Sequence, residues 1–75
     1  MDNKSYIGQE FRKGNKVYII DDYDERAMCY DPKSPMKVRS KKKNGQEFIC
    51  DISHPSIFES TLNGRIVSEG DFLDY

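Results

Sequence analysis

One histidine and two cysteines are the side chains here whose types most invite chemistry: His54 follows Cys50 by four positions, and Cys29 stands further back. A thiol near an imidazole can form a nucleophile with its base, and acidic neighbours abound to orient the ring. Cys50, however, alternates with Phe48 and Ile52 along an apolar strand face, where a thiol acts as a small inert hydrophobe. His54 precedes Pro55 and suits a structural, capping role at a helix start. Phosphate loops and dinucleotide fingerprints need clustered glycines, and the five glycines are scattered singly. No catalytic residue is assigned, and no enzyme is expected.

Metal chemistry fares no better. Cys29, Cys50 and His54 are ligand types zinc accepts, but a structural site wants four ligands, usually in closely spaced pairs. Asp21, Asp22, Asp24 and Glu25 lack the glycine turn and terminal bidentate glutamate of a calcium-binding loop. Neither a metal nor any other cofactor is expected.

Charge carries the stronger signal. The 75 residues hold 12 basic and 13 acidic side chains, a formal net charge of −1. That balance hides two opposed blocks. Lys33, Lys37, Arg39, Lys41, Lys42 and Lys43 fall between residues 33 and 46 with no acid among them, a block of +6. The rest of the chain has 6 basic against 13 acidic residues, or −7. Acids gather at residues 21–25 and again at Glu69, Asp71 and Asp74.

The elements that must position these charges can be read from alternation and turn chemistry. Lys16-Val17-Tyr18-Ile19-Ile20-Asp21 has the β-branched and aromatic content of a strand. Arg26-Ala27-Met28-Cys29-Tyr30 resumes apolar character until Asp31-Pro32 halts it, so the pair reads as an antiparallel hairpin. From Met36 to Ser53 two alternating runs flank Asn44-Gly45. A two-residue loop would set Val38 opposite Asp51 and Lys41 opposite Phe48, charge against the apolar face. A three-residue loop of Lys43-Asn44-Gly45, with Gly45 as a left-handed bulge, instead sets Val38 opposite Cys50 and Met36 opposite Ile52. It also brings Lys41 to Glu47 and Lys37 to Asp51, so both faces become consistent.

Residues 55–62 read as a short helix or a single 3₁₀ turn, with Pro55 near its start and Gly64 as its stop; Asn63-Gly64 could alternatively close a hairpin onto the strand Arg65-Ile66-Val67. The N-terminal stretch through Tyr6, Ile7 and Phe11, behind a frayed end at residues 1–5, is expected to add a short strand and a turn. Phe72-Leu73 is expected to dock at the end. Together these give a single small domain over residues 1–75, mainly β: a small antiparallel SH3-like barrel or curled sheet of four to five strands with one short helical turn. The likeness to the SH3-like superfold is architectural, spans residues 11–68 and carries no family motif; an OB-like barrel and an α+β meander are the alternatives.

No apolar run reaches the roughly 20 residues of a membrane span, and no basic start precedes an apolar stretch. With two cysteines rather than a disulfide framework, the expected setting is cytoplasmic, with free thiols.

The expected function is a non-catalytic binding module, a small regulator or inhibitor acting by protein–protein contact through a charged β-hairpin face. Lys37, Arg39, Lys41, Lys42 and Lys43 would steer a partner electrostatically, Ile49 and Tyr30 would supply apolar contact, and Asp22 and Asp24 would meet a cationic neighbour. The alternative is a nucleic-acid-binding protein whose basic hairpin at residues 33–43 contacts phosphates. That block contains no aromatic platform, and the −7 elsewhere would repel a duplex. A homodimer is a further option for the partner.

Overall fold

The computed structural model describes residues 2–75. Its chain order is α1 (Asn3–Arg12), β1 (Val17–Asp21), β2 (Arg26–Tyr30), β3 (Lys37–Lys42), β4 (Phe48–Asp51), α2 (Pro55–Asn63), β5 (Arg65–Val67) and α3 (Glu69–Asp74). The strands form one antiparallel sheet in the order β4-β3-β2-β1-β5. The sheet is not closed: β4 and β5 are its two edges, so the expected barrel is not formed by strand pairing.

Both hairpins lie where alternation puts them. In the first, Val17 pairs with Tyr30 and Ile19 with Met28. In the second, Val38 pairs with Cys50 and Lys37 with Asp51, the register that keeps charge off the apolar face. The turn itself differs from the one expected. Asn44, not Gly45, takes the left-handed conformation, at φ 60°. The ladder opens beyond Ser40–Phe48, and Gly45 N–H closes the turn onto Lys42 O at 2.8 Å.

Alternation along each strand sorts the side chains onto two faces. Val17, Ile19, Met28, Tyr30 and Val38 form one core layer with Ile7 of α1 and Ile57 of α2. Ile20, Ala27 and Cys29 form another with Phe72 of α3. The sheet is therefore covered by α1 and α2 on one face and, in part, by α3 on the other. Tyr30 is fully buried. Its Oη lies 2.5 Å from Thr61 Oγ1, which in turn donates to Ile57 O at 2.7 Å, so the ring locks α2 onto β2.

Helical content exceeds the one short turn expected. The strand and turn anticipated around Tyr6, Ile7 and Phe11 are instead α1, started by Asp2, whose carboxylate accepts from Ser5 N at 2.8 Å. Asn3 Nδ2 ties this helix to the end of α2, donating to Thr61 O at 2.9 Å and Gly64 O at 2.7 Å. Residues 55–63 are helical rather than a hairpin arm, and His54 Nδ1 caps them by accepting from Ser56 N at 3.3 Å. α2 carries the chain from the β4 edge to the far edge, where β5 pairs with β1. Ser68 then caps α3 through a bond from Asp71 N at 3.1 Å.

Candidate functional site

The β3–β4 hairpin turns its two faces to different tasks. Val38 and Ser40 point under the helices and are fully buried, whereas Lys37, Arg39 and Lys41 project from the opposite face. On that face α3 covers only the part nearest β1 and β2, because its single buried anchor, Phe72, sits against Ile20, Ala27 and Cys29. The outer edge, at β4, carries no covering element on this face among the described residues, and there Ile49 stands opposite Arg39 with 63% of its surface exposed.

Two ion pairs bracket Ile49. Arg39 Nε reaches Glu47 Oε1 at 2.8 Å, and Lys37 Nζ lies 3.7 Å from Asp51 Oδ2. The Arg39 bond holds the Glu47 carboxyl below its ordinary range and raises Arg39 in return. Asp51 is likewise lowered, first by hydrogen bonds from Ser53 and then by Lys37. The expected partner of Glu47 was Lys41; the ladder opens before that pair can form, so the carboxylate turns back one step to Arg39.

Lys41 instead belongs to the C-terminal helix. Its Nζ donates to Leu73 O at 3.1 Å and lies 5.1 Å from the centre of the Phe72 ring, while the Arg39 guanidinium is 5.7 Å from the same ring. Phe72 is thus held between cations above and Tyr18 beside it, the two rings 5.6 Å apart. Lys43 Nζ lies 5.9 Å from the Tyr75 ring. Part of the basic block therefore fastens α3 to the sheet.

The remaining candidates lie apart from Ile49. Lys42 is at the turn end of the sheet, where its Nζ bonds to Asp24 O at 2.6 Å and pairs with the Asp24 carboxylate. Asp24 also binds Arg26 at 3.0 Å, and that bond holds its carboxyl low. Asp22 is taken up by Arg65 through contacts of 2.7 and 3.2 Å, so the two acids serve pairs within the fold. Tyr30 cannot touch a partner: as the inward residue of the central strand β2 it is enclosed by α2, and burial raises its hydroxyl pKa. Lys37, Arg39 and Ile49 are brought together; Lys42, Lys43, Asp22, Asp24 and Tyr30 are not part of that group.

Sequence alternation missed Phe48 and Met36, which are 44% and 62% exposed. Both were read as core because they share the parity of Val38. The core under the helices takes in Cys50 and Ile52 but stops short of Phe48 and Met36, so parity alone overstates burial at those two positions. The two cysteines also separate: Cys29 lies beneath α3, Cys50 faces α1 and α2, and β3 runs between their strands. They cannot pair within the chain. Burial raises the Cys29 thiol pKa. Among the described residues, no three metal-ligating side chains cluster, and no helix is long and apolar enough to cross a membrane. No protein-family model, curated protein or solved structure matches the chain.

Proposed function

We propose that this chain is a non-catalytic binding module, a small regulator or inhibitor that occupies a protein surface with the outer half of its charged hairpin face. One observation carries the reading: Ile49, an exposed apolar side chain on an uncovered patch of sheet, framed by the Lys37–Asp51 and Arg39–Glu47 pairs. An apolar centre within a polar rim is the usual anatomy of a protein contact. The structural pairs also blunt the basic block as a phosphate grip, since Lys37, Arg39 and Lys42 each face a carboxylate of this chain. An open sheet serves this reading without a closed SH3-like barrel. A reducing, cytoplasmic setting suits two thiols that cannot bond to each other.

The test is retention of partner by the purified chain at two ionic strengths, with and without nuclease. A protein contact centred on Ile49 keeps its partner after nuclease and loses little between 50 and 200 mM salt, whereas a phosphate contact made by several lysines would weaken by about 10³-fold or more over that range. Loss of binding upon nuclease treatment overturns the proposal in favour of nucleic acid.

A further inference from the structure

The two sheet edges are not equivalent. β5 is three residues long and lies between α2 and α3 in the chain. β4, Phe48-Ile49-Cys50-Asp51, has no proline and no lysine, three of its four residues are exposed, and among the described residues no helix covers its Ile49 face, although at its end Asp51 O accepts from His54 N at 3.1 Å. Natural edge strands commonly carry such guards, because an open edge presents unpaired N–H and C=O groups to any passing strand. Phe48 on one face and Ile49 on the other add exposed apolar surface to that edge.

The charges on this edge have a sign. Glu47 and Asp51 flank Ile49 on its face; their own cations, Arg39 and Lys37, come from β3, on the inner side, and Asp51 Oδ1 also accepts from Ser53 N and Oγ. A strand added outside β4 would therefore meet acid, isoleucine and acid on one face and Phe48 and Cys50 on the other. A second copy of this chain fits poorly. Two β4 strands paired antiparallel about Ile49 would oppose Glu47 to Asp51, and a shift of two residues would oppose Ile49 to an acid.

Resting on the protein-contact reading, we propose that β4 recognises an extended segment of its partner as a sixth strand, and that this segment has the pattern basic-apolar-apolar-apolar-basic. Main-chain bonds supply affinity and the alternating side chains supply selectivity, as in other strand-addition complexes. The basic residues lie against Glu47 and Asp51, the central apolar residue lies against Ile49, and the other two lie against Phe48 and Cys50.

The probe is a synthetic peptide, Lys-Val-Ile-Val-Lys with Gly-Ser flanks, titrated into the full chain while backbone amides are followed by NMR. Binding should perturb the amides of residues 48–51. Two peptides N-methylated on alternate residues should behave differently, one weakened by about ten-fold or more and the other nearly unchanged, because only alternate N–H groups face the edge. Replacing both lysines by glutamate should also weaken binding by about ten-fold or more. No binding, perturbation centred elsewhere, indifference to both methylation patterns, or β4 amides occupied by a second copy of the chain would each overturn the proposal. If the peptide fails while Ile49→Asp still abolishes the native complex, strand addition is wrong and the face contact stands. If Ile49→Asp leaves the native complex intact, the underlying reading fails instead.

Discussion

Ile49 stands directly across the β3–β4 ladder from Arg39, and while the isoleucine is exposed the arginine is committed on both sides, to Glu47 at 2.8 Å and to the face of the Phe72 ring. One arginine thus links the uncovered patch to the helix that covers the rest of the sheet. The candidate surface and the packing of α3 are thereby joined through one side chain.

Phe72 is the single buried side chain of a six-residue helix whose other ties, such as Lys41 Nζ to Leu73 O, are exposed. Phe72→Ala should cost about 3–5 kcal/mol and release the helix from Ile20, Ala27 and Cys29. In a Cys50→Ser background, labelling of the remaining thiol by a soluble disulfide reagent should accelerate, because exposure removes the burial that keeps Cys29 protonated. Labelling as slow as in the parent would show that α3 does not shield Cys29.

Gly64 ends α2 at a point where no side chain fits. A Cβ there would run into the Ile19 side chain and lie 2.9 Å from Ser60 O and 3.0 Å from Ile20 O, two backbone atoms that cannot swing aside. Gly64→Ala should destabilise by about 1–3 kcal/mol or more in urea unfolding, through overpacking rather than backbone strain, since the position has an ordinary φ of −80°. A neutral result would mean that α2 and β1 are packed less closely than described.

Ser40 faces the helices beside Val38 with its hydroxyl fully buried and no hydrogen-bond partner among the described residues. Such a group bears a desolvation cost of about 1–3 kcal/mol with nothing to offset it. Ser40→Ala should therefore leave stability unchanged or raise it by up to about 1 kcal/mol, read as the midpoint of urea unfolding. A clear loss of stability would reveal a partner for the hydroxyl.

Glu47 has its carboxyl pKa lowered in the folded state, chiefly by the bond from Arg39. A lowered folded pKa contributes stability above the unfolded value and loses it as pH falls through the folded one. Acidification below about pH 4.5, the ordinary glutamate value, should thus remove this contribution. Glu47→Gln should flatten that part of the stability profile and leave neutral-pH stability lower by less than about 1 kcal/mol, as for an exposed pair. An identical acid limb in the variant would deny the Arg39 bond any energetic role.

The second hairpin was legible because its evidence was local: only one register kept Val38, Cys50 and the charges on consistent faces. The left-handed residue was not legible to the same degree, since Asn and Gly both tolerate that conformation and the choice between Asn44 and Gly45 depends on how the turn closes onto Lys42. α1 was missed because Gly8 sits in its middle and few apolar side chains mark its face, although the Asp2 cap and the four-residue spacing of Ile7 and Phe11 were signals. α3 had a clearer sign in Ser68-Glu69-Gly70-Asp71, an N-terminal capping pattern. Tyr30 was misplaced for a different reason. Composition marks a tyrosine as a good contact residue, and only the position of β2 at the centre of the sheet makes it core.

The most direct test compares two exposed apolar residues in different places, Ile49 on the hairpin face and Leu73 on α3, which are 63% and 59% exposed. Each is changed to aspartate, folding is verified by thermal unfolding, and affinity for the protein retained by the native chain is measured by calorimetry. The account predicts that Ile49→Asp binds at least about 30-fold more weakly, a loss of 2 kcal/mol or more as expected of a central contact residue, while Leu73→Asp stays within about two-fold of the native chain. Native affinity in a folded Ile49→Asp variant would contradict it.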